Sequence, residues 1–128
     1  MGVAIDTNVL VRYFTKDNEP LSSKAEEILT SAKSNTLALD RLIIAELGYV
    51  LKSVYGLKKD QVVMVYKALL SNEIFNILDR ELVELAIQLF DEEKPLSFEN
   101  SWLLAMKRSG KVSDVLTFDD ALSKRQRL

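Results

Sequence analysis

The chain predicts an α/β fold with a mostly parallel sheet. Short apolar runs alternate with longer stretches of helical spacing from one end to the other, the order that produces parallel strands joined by helical crossovers. The apolar runs lack strict in-out alternation, as expected of strands covered by helices on both faces. At 128 residues, with no linker, repeat or low-complexity stretch, residues 1–128 read as a single domain around one sizeable core.

Taken in order, "VAID" (3–6) reads as a short buried strand and Asn8 to Phe14 as the first helix, ended by the polar Lys16-Asp17-Asn18-Glu19 loop. Pro20 suits the first turn of a second helix, with Ala25, Ile28 and Leu29 at helical spacing toward Ala32. Thr36 to Leu39 is the second strand. The stretch "RLIIAELGYVLKSVYG" then keeps Leu42, Ile43, Leu47, Val50, Leu51 and Val54 at helical spacing, with Gly56 as its C-terminal stop. "KKDQVVMVYKALLS" is a further helix, "IFNIL" a third strand and "RELVELAIQLFDEEK" a helix of high propensity. "SFENSWLLAMKRSG" opens with Ser97 as N-cap and closes at Gly110; "VLTF" (115–118) reads as a fourth strand, and Asp119 or Asp120 caps the last helix.

Composition narrows the chemistry. The chain has no cysteine and no histidine, which removes thiol catalysis, disulfides, cysteine-type zinc sites and the Ser-His-Asp triad. Carboxylates, hydroxyls, lysines and bound hard cations remain. No apolar run is long enough for a membrane span, and the apolar start meets Asp6 at once, so no signal peptide is read and the cytoplasm is the expected compartment. A net charge of −2 argues against binding nucleic acid by bulk charge. Local basic clusters occur at Lys58-Lys59, Lys107-Arg108-Lys111 and Lys124-Arg125-Arg127, enough for a basic rim.

In open parallel sheets the ligand crevice lies beyond the carboxyl ends of the strands. Asp6 ends the first strand and Asp119 follows the predicted fourth. Each also reads as an ordinary helix N-cap, although Thr7 and Asn8 offer Asp6's helix equally good caps. Glu46 has Leu42, Ile43, Tyr49 and Val50 as its helical neighbours, which predicts a carboxylate on a buried face that needs a partner or a cation. Asn100, with Leu96, Leu103 and Leu104 around it, is expected to face inward near the start of its helix, as a satisfied amide or a site residue. Glu99 lies about 100° around that helix and falls elsewhere.

"AIDTNVLVRYF", "IIAELGYVL", "SFENSWLLAMKRSG" and "VLTFDDAL", in this order and spacing, resemble the PIN domain, in particular the small VapC ribonuclease toxins. The resemblance covers nearly the whole chain and implies a three-layer α/β/α sandwich with a four- or five-stranded sheet. It implies Asp6, Glu46, Asn100 and Asp119 as catalytic residues, with Asp6, Asn100 and Asp119 as metal ligands. Thr7, Asn8 and Thr117 stand beside them as supporting hydrogen-bond partners. Asn100 occupies a place where the family usually has aspartate, as in a divergent member or one disarmed on purpose. Mg²⁺ or Mn²⁺ is the implied cofactor, since oxygen-only ligands select hard cations and converging carboxylates need one. The implied partners are an RNA substrate, a small antitoxin and a second copy in a homodimer; "VVMVYKALL" or Tyr13 and Phe14 are candidate apolar surfaces, although such stripes at helical spacing are more often ordinary core. Two other readings remain open: a receiver- or phosphatase-like metal-binding domain, which would be expected to bring an acid pair or D-x-D-x-T where this chain has D-T-N, and a degenerate domain that only binds RNA or protein.

Overall fold

Val3–Ala4 forms β1, Leu37–Leu39 β2 and Phe75–Ile77 β3, and they pair in parallel in the order β1-β2-β3. The register sets Val3 opposite Leu37, Ala38 opposite Asn76 and Leu39 opposite Ile77. The computed structural model describes residues 2–127. They fall into two compact units, one ending at Leu78 and the other beginning at Asp79.

In the first unit each parallel step is made by two helices, α1 (Thr7–Thr15) and α2 (Glu19–Ser31) before β2, α3 (Arg41–Ser53) and α4 (Lys59–Ser71) before β3. The helices start where the sequence offers caps: Asn18 Oδ1 accepts from Leu21 N–H at 3.2 Å, and Asp40 Oδ1 from Ile43 N–H at 3.1 Å. Leu10, Val11, Leu37, Leu39, Ile44, Leu47 and Leu51 are buried. Gly56, at φ +69°, ends the run after α3 as read, its N–H donating to Lys52 C=O. Much of "VVMVYKALL" is core, since Val62, Val63, Tyr66 and Leu69 are buried and Met64 is exposed.

Gly48 marks the tightest approach of α3 to α4. A β-carbon there would collide with the hydroxyl and ring of Tyr66, whose hydroxyl is already fixed by donating to Ile44 C=O at 3.0 Å. In an open helix Gly→Ala stabilises by about 1 kcal/mol through propensity. Here overpacking wins, and Gly48→Ala is expected to lower unfolding free energy by about 1–3 kcal/mol, read from urea midpoints.

The α1–α2 corner is held by Asp17. Its Oδ1 accepts from Arg12 Nη1 and Thr15 Oγ1, each at 3.0 Å, and its Oδ2 from the Tyr55 hydroxyl at 2.7 Å. The Tyr55 bond foremost, with smaller help from Arg12 and Thr15, holds this carboxyl below its ordinary 3.8. A depressed pKa contributes stability above the unfolded value that is lost as pH falls through the folded one. The difference in urea midpoint between the native chain and Tyr55→Phe is therefore expected to be largest near neutrality and to shrink as pH falls below about 4.

The second unit consists of α5 (Arg80–Glu92), α6 (Phe98–Arg108) and α7 (Asp120–Gln126), with α5 packed on α6 and α6 on α7. Phe90 and Phe98 meet edge to face at 6.3 Å between ring centres, and Trp102, Leu104 and Leu122 are buried. Ser97 Oγ caps α6 by accepting from Asn100 N–H at 3.1 Å. The parallel α/β class is as expected, but the described residues hold three strands, and the fourth expected at 115–118 does not form. That segment is assigned to no helix and no strand. The Gln126 amide occupies Val115, donating to its C=O at 2.9 Å and accepting from its N–H at 3.1 Å. Val115, Leu116 and Phe118 have the composition of a strand, but a strand exists only where a second one pairs with it.

Candidate active site

Asp6 stands between β1 and α1, in the N-cap position, with its C=O accepting from Val9 N–H at 3.1 Å. The helix takes no capping hydrogen bond from its carboxylate. Asn18, Asp40, Ser97 and Asp119 all cap with their side chains, whereas the Asp6 side chain makes no capping bond and is exposed. The next residue adds a second unused group: Thr7 is 1% exposed, and its Oγ1 has no hydrogen-bond partner among the described residues. A buried hydroxyl left in that state costs about 1–3 kcal/mol. Asn8 is exposed. The beginning of α1 thus offers an unengaged carboxylate and an unsatisfied hydroxyl at the positive end of a helix.

Glu46 does not lie on a buried face. It is exposed, and its neighbours Leu42 and Tyr49 are 68% and 69% exposed. The buried stripe of α3 runs through Ile44, Leu47, Gly48 and Leu51, and Glu46 is two residues, about 200°, from both Ile44 and Gly48. A helix apolar on several sides does not reveal from neighbours alone which side is covered. Glu46 therefore bears no burial cost to be relieved, and no described residue pairs with its carboxylate. α1 and α3 pack together, so Asp6 and Glu46 arise from adjoining helices of the first unit.

The second unit carries the other two positions. Asn100 sits in the first turn of α6, half-buried where an inward face was expected, with its backbone N–H taken by Ser97 and its side-chain amide unbonded among the described residues. Asp119 is exposed and does cap: Oδ1 accepts from Leu122 N–H at 2.8 Å, leaving Oδ2 for other work. Thr117 Oγ1 accepts from the Asp119 backbone N–H at 3.0 Å, so it fixes the turn rather than the carboxylate. Several of the basic residues are engaged internally, Arg108 Nη2 donating to Arg125 C=O at 3.3 Å. Lys107 Nζ donates to Gln126 Oε1 at 3.2 Å and lies 3.6 Å from Asp114, and Arg125 Nε lies 3.2 Å from Glu93.

Among the described residues, no group of three or more acidic side chains is close enough to hold a metal ion. The donors are nonetheless of one chemical kind. The Asp6 and Glu46 carboxylates, the second Asp119 oxygen and the Asn100 amide oxygen are unspent hard oxygens, the type that suits Mg²⁺ or Mn²⁺, and the orphaned Thr7 hydroxyl adds a polar group beside Asp6.

A groove of about 290 Å³ between α1 and α2 was not read from the sequence. Val9, Leu21, Ala25 and Ile28 line it, with Asn8, Arg12 and Lys24. The signal was present in Leu21, Ala25 and Ile28 at i, i+4 and i+7, but helical spacing does not separate a groove wall from core.

The family model for the PIN domain matches residues 3–128. No curated protein and no solved structure matches the chain.

Proposed function

The chain belongs to the PIN-domain family, whose members are generally metal-dependent nucleases, and on that premise we propose that it is an endoribonuclease of the VapC toxin type. In this reading residues 1–128 work as one domain. Asp6, Glu46, Asn100 and Asp119 form the catalytic set; Asp6, Asn100 and Asp119 would hold Mg²⁺ or Mn²⁺, with Thr7, Asn8 and Thr117 in support. The observation that carries it is the Asp6 side chain, placed where a cap belongs and left unengaged, next to the orphaned Thr7 hydroxyl.

When bound, a divalent ion supplies a water of lowered pKa and charge stabilisation on the phosphate. The protein's share follows from its side chains. Asp6 is anchored through its backbone at the start of α1, and its carboxylate is free to take a ligand. Glu46, exposed and unpaired, is available to hold a water or accept its proton. Asp119 keeps one oxygen on the α7 backbone and turns the other outward. Asn100 contributes one neutral oxygen where a carboxylate would contribute two charged ones.

The partners in this reading are RNA, an antitoxin and a second copy of the chain, in the cytoplasm. No helix among the described residues is long and apolar enough to cross a membrane. The aliphatic α1–α2 groove, with Arg12 and Lys24 in its lining, supports the antitoxin, because such a groove accepts the apolar face of a helix with acidic flanks. Asn100 favours one second reading, a degenerate domain that binds RNA or protein without cutting. Incubating the chain with single-stranded and hairpin RNAs separates the two. Cleavage that needs Mg²⁺ or Mn²⁺ and stops with a chelator is expected; binding with no cleavage under any divalent ion supports the second reading.

A further inference from the structure

The outer side of α3 carries a strip of unspent side chains. Leu42 and Tyr49 are 68% and 69% exposed and, two turns apart, lie within about 20° of one another around the helix. Glu46 falls between them and Lys52 follows one turn after Tyr49, both exposed. The Glu46 carboxylate, the Tyr49 ring and hydroxyl and the Lys52 ammonium have no partner among the described residues. Their spacing keeps them free of one another. Glu46, Tyr49 and Lys52 stand three residues apart, so the ring is a helical neighbour of each charge, whereas the two charges are about 9 Å apart along the axis and do not pair.

An acid, an aromatic face and a cation in consecutive turns suit a nucleotide of single-stranded RNA better than a protein. A protein covering Leu42 and Tyr49 would take Glu46 and Lys52 out of water beside them, and charges are depleted from the centres of such interfaces for that reason. A nucleotide offers a flat base to the ring and a phosphate to the ammonium, and leaves Glu46 in water. Tyrosine fits the role, since only two side-chain torsions are frozen when a base covers it. Its backbone is held in place, because the adjoining Gly48 packs on Tyr66, whose hydroxyl donates to Ile44 C=O at 3.0 Å.

We propose that Tyr49 is the platform on which the base next to the scissile phosphate stacks, with Lys52 on a neighbouring phosphate. Identifying the ligand as RNA rests on the nuclease reading. Glu46, which holds a water or accepts its proton in that reading, is one turn from the ring, so a stacked base sets the register of the RNA against it. The bases of duplex RNA are already stacked on each other, so the platform selects loops, bulges and single strands. It reads no base edge. Every base has a π-face, and the selection is for an unpaired base of any identity.

Binding is measured by fluorescence anisotropy with the full chain, a labelled single-stranded RNA of about twelve nucleotides and a chelator, so that no cleavage intervenes. Tyr49→Ala is expected to weaken binding about tenfold, Tyr49→Leu by at least about fivefold and Tyr49→Phe by less than about twofold. Far-UV circular dichroism is expected to be unchanged, because position 49 is exposed. On an abasic strand of equal length, the native chain and Tyr49→Ala are expected to bind alike. Lys52→Ala is expected to flatten the slope of log Kd against log salt by about 0.7, the share of one phosphate on a single strand; an unchanged slope overturns the Lys52 contact. Undetectable RNA binding by the native chain, equal affinity in Tyr49→Ala, or full affinity in Tyr49→Leu overturns the platform. So does a Tyr49→Ala chain that sediments differently while its RNA affinity stays the same, since the face is then an interface between proteins. Cleavage separates this subsite from the reading beneath it. In an Asn100→Asp background with Mn²⁺, Tyr49→Ala is expected to raise KM about tenfold with kcat within about twofold. Cleavage with an unmoved KM removes the platform alone. Ring-dependent binding with no cleavage in either background counts against the nuclease reading alone.

Discussion

Asn100→Asp is expected to raise Mn²⁺- or Mg²⁺-dependent RNA cleavage by at least about tenfold and to tighten Mn²⁺ binding in parallel. Aspartate matches asparagine in shape, but it has a full negative charge and two accepting oxygens in place of one oxygen and an NH₂. Position 100 lies in the first turn of α6, where a new negative charge is also favoured by the helix field. The Asn100 side chain makes no hydrogen bond among the described residues, so nothing is broken by the exchange. Stability should therefore change by less than about 0.5 kcal/mol, which separates a gain in site chemistry from a gain in fold. Titration calorimetry with Mn²⁺ and initial cleavage rates check the two halves independently. Equal metal binding and equal rates in the two proteins would remove position 100 from the site.

A second large effect divides Asp6 from Asp119. Asp6→Asn is expected to abolish cleavage, a loss of about a hundredfold or more if the carboxylate is a metal ligand, at a cost to stability of no more than about 1 kcal/mol from the lost charge at the helix start, because the native side chain makes no capping bond. Asp119 has two roles. Asp119→Asn should lose cleavage while keeping the α7 cap, since asparagine caps as well as aspartate. Asp119→Ala should lose cleavage and about 1 kcal/mol of stability together, because the Leu122 N–H loses its acceptor. If Asp6→Asn were instead the destabilising change, the free carboxylate at the start of α1 would be a structural group and not a ligand. Thermal melts beside cleavage assays decide between them.

The positions of the acids along the chain, and the helices that begin at Asp6, Ser97 and Asp119, were legible because they depend on local rules. A polar residue before an apolar helical run caps or flanks it whatever the rest of the molecule does. The parallel direction of the strands was legible for a similar reason, since strands that alternate with helical crossovers return in the same direction. Asp6 and Asp119 look alike at that level, and only the hydrogen bonds tell them apart: one side chain is spent on a backbone amide and the other is not.

The exposure of Glu46 and the failure of 115–118 to form a strand belong to the tertiary structure. Glu46 has apolar neighbours on α3, yet burial is settled by which side of that helix meets α1 and α4, and Ile44, Leu47, Gly48 and Leu51 take that side. The "VLTF" run has the composition of a strand, but pairing needs a second backbone at hydrogen-bond distance, a condition set by distant parts of the chain. Sequence alone determined which residues are chemically able to act, because that is a property of each side chain and its immediate helix. Which of those side chains stay unengaged was decided by packing between segments far apart in sequence, where local propensity has no say.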